Sequence, residues 1–421
     1  MRETFKSLSI FSAMLMLLLM ISTGCDVNIP GCGKRSLPFF KQMPPAAVNN
    51  NTVAPLTASA PAPAVNNAIS NSSSPAMATK PTMKVSNTVA APLPTPVPVD
   101  VEKIAFTTME DKQPTLWTMN TDGTERTRLT PVGTSSWDPL WSPNGKILAF
   151  LSTANDGKVN LYMVPKGGTQ LVQLTSWEDM KMPDSTRHQP LFTWSPKSDQ
   201  IVYGYKNQVW LIQLDTQEQS TLVNADPSYS IESVTWAPHR ENKYVAYTVR
   251  KGRNYYSVML VNPRLKDKLT LIEAIKTVPA ISWSSGAEKV AYVSGNRALY
   301  TTTVEESSPK VVINNASPDL GPFVAYSPVE GAAKLMLLAK QTSGDTGYKV
   351  ALVDQAAKTD QDTGTLKYLT PAGVEYATWS PDSTKIAYVI SGELWIMESG
   401  SGLSKTRIAL TGIQSPDWSK K

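Results

Sequence analysis

Among 421 residues there are only two histidines, His188 and His239, and two cysteines, Cys25 and Cys32. Proton transfer near neutral pH and tetrahedral zinc binding draw mainly on these residue types. Both chemistries therefore have few candidates. The chain has no G-x-S-x-G nucleophile elbow, H-E-x-x-H, C-x-x-C, P-loop or G-x-G-x-x-G fingerprint, and the EF-hand spacing is not met. Asp-Thr-Gly occurs twice, at Asp345 and Asp362. An aspartic-protease centre needs two such carboxylates a few ångströms apart. Here both triplets fall in Gly- and Asp-rich turns of one short stretch, which argues for loops. Gly400 to Gly402 reads as a hairpin turn. No catalytic residue, metal ligand or cofactor site is expected.

One polar segment is a candidate for binding. Ser176 to Pro190 (SWEDMKMPDSTRHQP) is the longest polar connection leading into a new repeat unit of the C-terminal part. It contains Trp177, Glu178, Asp179, Asp184, Arg187 and His188. Long loops on a rigid scaffold often carry recognition, so these six residues form a candidate partner-binding loop. The plainer reading is a solvated loop with Trp177 tucked against the fold.

The N-terminus reads as an export signal. Arg2 and Lys6 precede Leu8 to Ile21, a run that is almost wholly apolar. Fourteen helical residues span about 21 Å, short of a bilayer-crossing helix and suited to a secretory signal. Ser22, Thr23 and Gly24 then lead into Cys25. This resembles a bacterial lipoprotein signal, which implies cleavage after residue 24 and lipid on Cys25. Ser22 departs from the Leu usual at that place. The alternatives are a Cys25–Cys32 disulfide in an oxidising compartment, or lipid on Cys32 just after Pro30.

Between Met43 and Val99, 11 of 57 residues are Pro, and no aromatic residue occurs between Phe40 and Phe106. Pro removes backbone donors and restricts its neighbours, and without large apolar side chains such a segment cannot offset its chain entropy. It is expected to be a disordered tether. Its ends would lie about 40 Å apart as a coil and about 180 Å apart as extended polyproline. Charge follows the same division. The first hundred residues carry 7 Lys/Arg against 3 Asp/Glu, and the rest carry 33 against 32. The basic character thus belongs to the head and tether. A folded part with no excess of cations is a poor nucleic-acid binder.

The elements that would hold any site are legible from a repeat. An aromatic residue, then Ser or Ala and usually Pro, then a turn and an apolar run recur at Trp141, Trp194, Trp236, Trp283, Tyr326, Trp379 and Trp418. Successive anchors are 53, 42, 47, 43, 53 and 39 residues apart, the spacing of four-stranded blades. Short β-rich runs separated by Gly, Asp, Asn and Ser fill each unit, as in KILAFLS, VNLYMVP and QLVQLT after Trp141. Ser-Pro-Asn-Gly and Ser-Pro-Asp-Ser suit a type I turn with Pro second. Lys103 to Thr107, Thr115 to Asn120 and Thr127 to Thr130 form three strands lacking an anchored first strand. Ile413 to Ser419 is an anchored strand lacking the other three. Joining them removes exposed edges. The expected fold is all-β: a seven-bladed β-propeller of four-stranded blades, closed by the C-terminal strand. The domains are then 1–24, a signal peptide; 25–100, a lipid-anchored tether; and 101–421, the propeller.

These units resemble the TolB-type, WD-like propeller repeat of bacterial envelope proteins. LWTMNTDGTERTRLT (Leu116 to Thr130) with WSPNGKILAF, and YATWSPDSTKIAYV (Tyr376 to Val389), carry the resemblance. It covers about three quarters of the chain and is specific for fold, while propellers host many activities. The chain departs from TolB in having seven units rather than six, and a tether in place of a small α/β domain, so TolB's partners are not carried over. The resemblance and the N-terminus together imply an extracytoplasmic, lipid-anchored envelope protein. Its expected role is a non-enzymatic protein-interaction platform for envelope proteins, without nucleic acid. The alternatives are a small-molecule or glycan-binding module, then a lyase or hydrolase.

Overall fold

The computed structural model describes residues 101–421 except 181–190, 240–243, 254, 277–279, 295–296, 307, 315–318, 332–333, 343, 355–363, 404 and 409. Cys25, Cys32, the apolar N-terminal run and the Pro-rich tether lie outside the described residues.

Seven four-stranded antiparallel sheets form a ring, the β-propeller expected from the repeat. In six blades the strands follow chain order. Blade 1 is composite: Ile413–Trp418 pairs with Lys103–Glu110, followed by Gln113–Asn120 and Thr127–Arg128. The remaining blades begin at Ser136–Trp141, Phe192–Trp194, Tyr229–Trp236, Ala280–Trp283, Asp319–Tyr326 and Val374–Trp379. Each anchor aromatic is thus the last residue of a first strand. First strands of neighbouring blades meet between blades 1 and 2, 3 and 4, 5 and 6, and 7 and 1, which puts them on the channel side of the ring.

The Ser-Pro motif closes the hairpin between first and second strands. In blade 2 the Gly145 N–H donates to the Ser142 carbonyl (2.8 Å), and Ser142 N–H donates to the Ile147 carbonyl (2.8 Å). The Ser142 hydroxyl accepts from Ile147 N–H (3.0 Å) and donates to Asn144 Oδ1 (2.7 Å). Ser380 repeats this with Ser383, Lys385 and Asp382, and Ser195 with Ser198, Gln200 and Asp199. Pro at the second position supplies the φ that the turn needs. Gly145 has φ +71°, and a Cβ there would sit 2.5 Å from the Lys420 carbonyl oxygen. Glycine lets the closing segment pass against this turn.

The core lies between blades. Trp141 packs with Leu148, Phe150, Tyr162 and Val164 of its own blade and with Ala105 and Leu116 of blade 1. A large aromatic buries roughly 150–250 Å² in such a place, which is why every blade ends its first strand with one. Polar links add direction. Trp141 N–H donates to Asp417 Oδ2 (2.6 Å), Trp236 N–H to Thr193 Oγ1 (3.3 Å) and Tyr326 N–H to Ser282 Oγ (2.9 Å). In each, the residue before one blade's anchor accepts from the next blade's anchor. Where that residue has no side-chain acceptor the indole donates instead, Trp194 Nε1 to the Leu140 carbonyl (2.9 Å) and Trp379 Nε1 to the Ala325 carbonyl (3.2 Å).

Candidate functional site

Consecutive antiparallel strands put the connections at two ends. First-to-second and third-to-fourth turns share one end. Second-to-third turns and blade-to-blade connections share the other.

The expected binding loop is a blade-to-blade connection, running from blade 2 to blade 3. Asp184, Arg187 and His188 lie outside the described residues. Trp177, Glu178 and Asp179 are described, and the protein itself occupies all three. Trp177 is 5% exposed. Its ring stacks on Tyr205 (centroids 5.5 Å apart, 9° between planes) and tilts against Tyr203 (5.2 Å). Its backbone N–H donates to Asn160 Oδ1 (2.7 Å). Glu178 pairs with Lys158 at 2.6 Å. Asp179 accepts from the Tyr205 hydroxyl and pairs with Lys206 at 3.2 Å. The Tyr205 hydrogen bond, with Lys206 beside it, holds the Asp179 carboxyl below its usual range. Burial, and the bond to Asp179, push the Tyr205 phenol up. These residues staple two blades together, and Trp177 is tucked in as the plainer reading expects.

The Asp-Thr-Gly turn at Asp345 is structural. Its carboxylate accepts from the N–H groups of Gln341 (2.8 Å) and Thr342 (3.2 Å) and pairs with Lys349 (3.2 Å). Asp362 lies outside the described residues. His239 is half-buried in the turn after Trp236.

The channel holds what the sequence did not single out. At the Ser-Pro end it opens into a pit of about 330 Å³. Leu140, Phe323, Ala325 and Ala377 form apolar wall, and the largely buried anchors Trp141, Tyr326, Trp379 and Trp418 border it. Pro143, Pro328 and Pro381 line it too, with Asp417 and Lys420 as its charged residues. Asp417 keeps some surface toward the pit, yet its carboxylate is desolvated. Burial pushes its pKa up to about 7, against the opposing pull of hydrogen bonds from the N–H groups of Trp141 and Trp418.

Deeper in the channel, the first strands of blades 7, 1 and 2 bring Tyr376, Ser415 and Asp138 together. Burial holds the Tyr376 phenol above its ordinary value. Its hydrogen bond with Ser415 opposes this, and the charges of Glu375 and Asp138 add to it. Asp138 (φ 51°) and Ser415 (φ 46°) are left-handed, and each precedes a proline. Both sit where their strand bulges out of register. A non-glycine residue in this conformation costs about 1–3 kcal/mol. The bulges break the two-residue alternation of their strands, and Ser415 thereby meets the Tyr376 hydroxyl of blade 7.

The sequence matches no family model and no curated protein. Solved structures do resemble the chain. TolB from Acinetobacter baumannii is 16% identical, covering 77% of this chain and 68% of that one, with a TM-score of 0.47. An oligogalacturonate lyase in complex with manganese is 13% identical over 74% of this chain and 86% of that one, with a TM-score of 0.54. A puromycin-hydrolyzing peptidase of Mycobacterium tuberculosis is 15% identical over 74% of this chain, with a TM-score of 0.53. The match covers 52% of that peptidase. The likeness is one of fold. The lyase structure holds manganese; among the described residues here, no group of three or more His, Cys, Asp or Glu side chains is placed to hold a metal ion.

Proposed function

We propose that this chain is a non-enzymatic, lipid-anchored envelope protein whose propeller docks a protein partner at the Ser-Pro end of its channel. The pit carries this reading. It is concave, mostly apolar and aromatic, and built from the ends of rigid first strands, which suits recognition. Val329, exposed in the Ser-Pro turn of blade 6 beside Pro328, adds an apolar contact at the rim. The scarcity of histidine and the missing nucleophile motifs support binding over turnover. The anchor rests on the apolar run before Cys25, and the Pro-rich tether would hold the disc clear of the membrane.

Crosslinked capture from the native envelope tests the platform, with three comparisons: the propeller-deleted anchored chain, Val329→Asp at the pit rim, and Val132→Asp at the opposite end. A stoichiometric protein partner lost with the deletion and with V329D, and kept with V132D, is expected. Capture indifferent to V329D would sink the docking face. Mass spectrometry of the mature N-terminus tests the anchor; an unmodified Cys25 thiol would remove it. The second reading, a small-molecule or glycan-binding module, draws on the size of the pit, which lies at the lower end of ligand cavities. It predicts a saturable melting shift with a sugar or metabolite.

A further inference from the structure

We propose that the pit binds an ammonium group, with the Asp417 carboxylate as its counter-ion and the surrounding apolar wall receiving the attached carbon chain. The inference rests on the reading of the pit as a binding site and names the chemistry it selects.

Asp417 is a carboxylate in a largely apolar wall. Ionising it there is costly unless a cation or several donors compensate. Two backbone N–H groups, of Trp141 and Trp418, are its hydrogen-bond donors. A carboxylate has about four acceptor positions, which leaves capacity on a group that borders the pit. Among the described residues no Lys, Arg or His is ion-paired with it. Lys420 lines the same pit three residues on and makes no ion pair with it within 4 Å. Lys103, on the paired strand, is committed to Glu125 (3.1 Å) and Asn120 (3.0 Å). The other ionisable groups around it are Tyr326 in the pit, Asp138, Tyr376 and Glu375 on the flanking first strands, Glu102 beside Trp418, and Lys166 of blade 2, whose ammonium donates to the Lys420 carbonyl (2.7 Å) and is not ion-paired with Asp417.

An anion would meet the carboxylate of half-buried Asp417 and find as its counter-charge in the pit only Lys420, which is solvent-exposed and so screened. A divalent metal ion needs several oxygen or nitrogen ligands, and no such group is present among the described residues. An ammonium needs one carboxylate and brings a chain that the apolar wall can bury. The pit's 330 Å³ suits a group the size of one side chain. The ammonium can come from a free alkylamine or from a lysine of a partner polypeptide.

Binding would be linked to a proton. An ammonium stabilises the charged carboxylate, so at pH 6 to 7 Asp417 must release its proton to solvent as the ligand enters. The test uses the full-length chain, titrated calorimetrically with n-butylamine, with Nα-acetyl-lysine methylamide, and with 1-butanol as the neutral control. Saturable binding of at least one amine and none of butanol is expected. Affinity should be about thirty-fold higher at pH 8.5 than at pH 5.5, as ionisation of a group with pKa near 7 requires. Heats in buffers of different ionisation enthalpy should show proton release near pH 6.5. Asp417→Asn, which keeps an oxygen for the Trp141 N–H, should lose the affinity and the pH dependence. A preference for the lysine derivative would assign a polypeptide source, and equal binding a free amine; both outcomes support the site. Equal binding of butanol, no binding of either amine, or pH-independent binding without proton release would overturn it. The wild-type measurements decide even if the variant does not fold. Loss of partner capture in V329D together with absent amine binding would leave the platform standing and remove this proposal alone.

Discussion

The carboxylate of Asp417 accepts a 2.6 Å hydrogen bond from the backbone N–H of Trp141, 276 residues earlier in the chain. This one contact joins the closing strand of blade 1 to the anchor of blade 2 and forms part of the channel wall. Ring closure and the candidate site therefore share a residue. Ser419 secures the same segment from the other side: Lys103 N–H donates to its hydroxyl and Ser419 N–H to the Lys103 carbonyl, both at 2.8 Å.

Deleting residues 412–421 should unfold the propeller as a whole. The deletion removes Ile413 and Trp418 from the core between blades 7 and 1 and strips a first strand from its ladder. Loss of two large buried side chains alone costs more than about 5 kcal/mol. Thermal melting should lose its cooperative transition or shift far downward. An unchanged melt would show that blade 1 does not need its C-terminal strand.

Stability should fall as pH rises through the range of the Asp417 carboxyl. Its pKa is about 7 in the folded chain against an ordinary value of 3.8. Between these values the folded state holds a proton that the unfolded chain has released, so the native state is favoured below pH 4 and loses this contribution as pH climbs past 7. Asp417→Asn keeps an acceptor for Trp141 and cannot ionise. It should match the wild type near pH 4 and exceed it at pH 8 by about 2–4 kcal/mol. Urea denaturation at the two pH values measures this; a wild type that gains stability from pH 5 to 8 relative to D417N would contradict the burial of the charge.

The fold was legible because its determinants are periodic. Each blade repeats an aromatic anchor, a turn-forming serine and a β-rich run, and the unmatched strands at the two ends complete one another. Trp177 was legible as a tucked side chain because a lone large aromatic in a polar loop gains most by burial. The pit was not. Asp417 occupies the place before the anchor that Leu140, Thr193, Ser282 and Ala325 hold in other blades, so its type does not show which way it faces. Asp138 and Ser415 come near Tyr376 through bulges. The available signal was Asp-Pro and Ser-Pro inside a strand, where proline marks an irregularity in pairing. Reading it requires knowing which strands end up adjacent around the ring.

The indoles of the anchors should differ in worth according to their partners. Trp194 Nε1 donates to the Leu140 carbonyl, bridging blades 3 and 2. Trp283 Nε1 is buried without a hydrogen-bond partner. Both tryptophans are about equally buried, at 4% and 6% exposure. Replacement by phenylalanine removes similar apolar area from each, so the difference isolates the hydrogen bond. Trp194→Phe should cost about 1 kcal/mol more than Trp283→Phe, since it removes the donor from a partly buried carbonyl. Equal losses would mean that the Leu140 carbonyl finds another partner.

The connection between blades 2 and 3 should prove a staple, with its energy concentrated in one residue. Trp177 is wedged against Tyr203 and Tyr205, and its removal opens a cavity between two blades. Trp177→Ala should therefore lower stability by about 3–5 kcal/mol. Glu178 and Asp179 make ion pairs in which both partners are largely exposed, and such pairs contribute about 0–1 kcal/mol. Glu178→Gln should be nearly silent, and Asp179→Asn should cost a little more because it weakens the bond from the Tyr205 hydroxyl. All three variants should keep the partner proposed for the Ser-Pro end, provided W177A is assayed below its melting temperature. Loss of that partner in the charge-neutral variants, with melting unchanged, would instead place recognition on this loop and return the function to the opposite end of the channel.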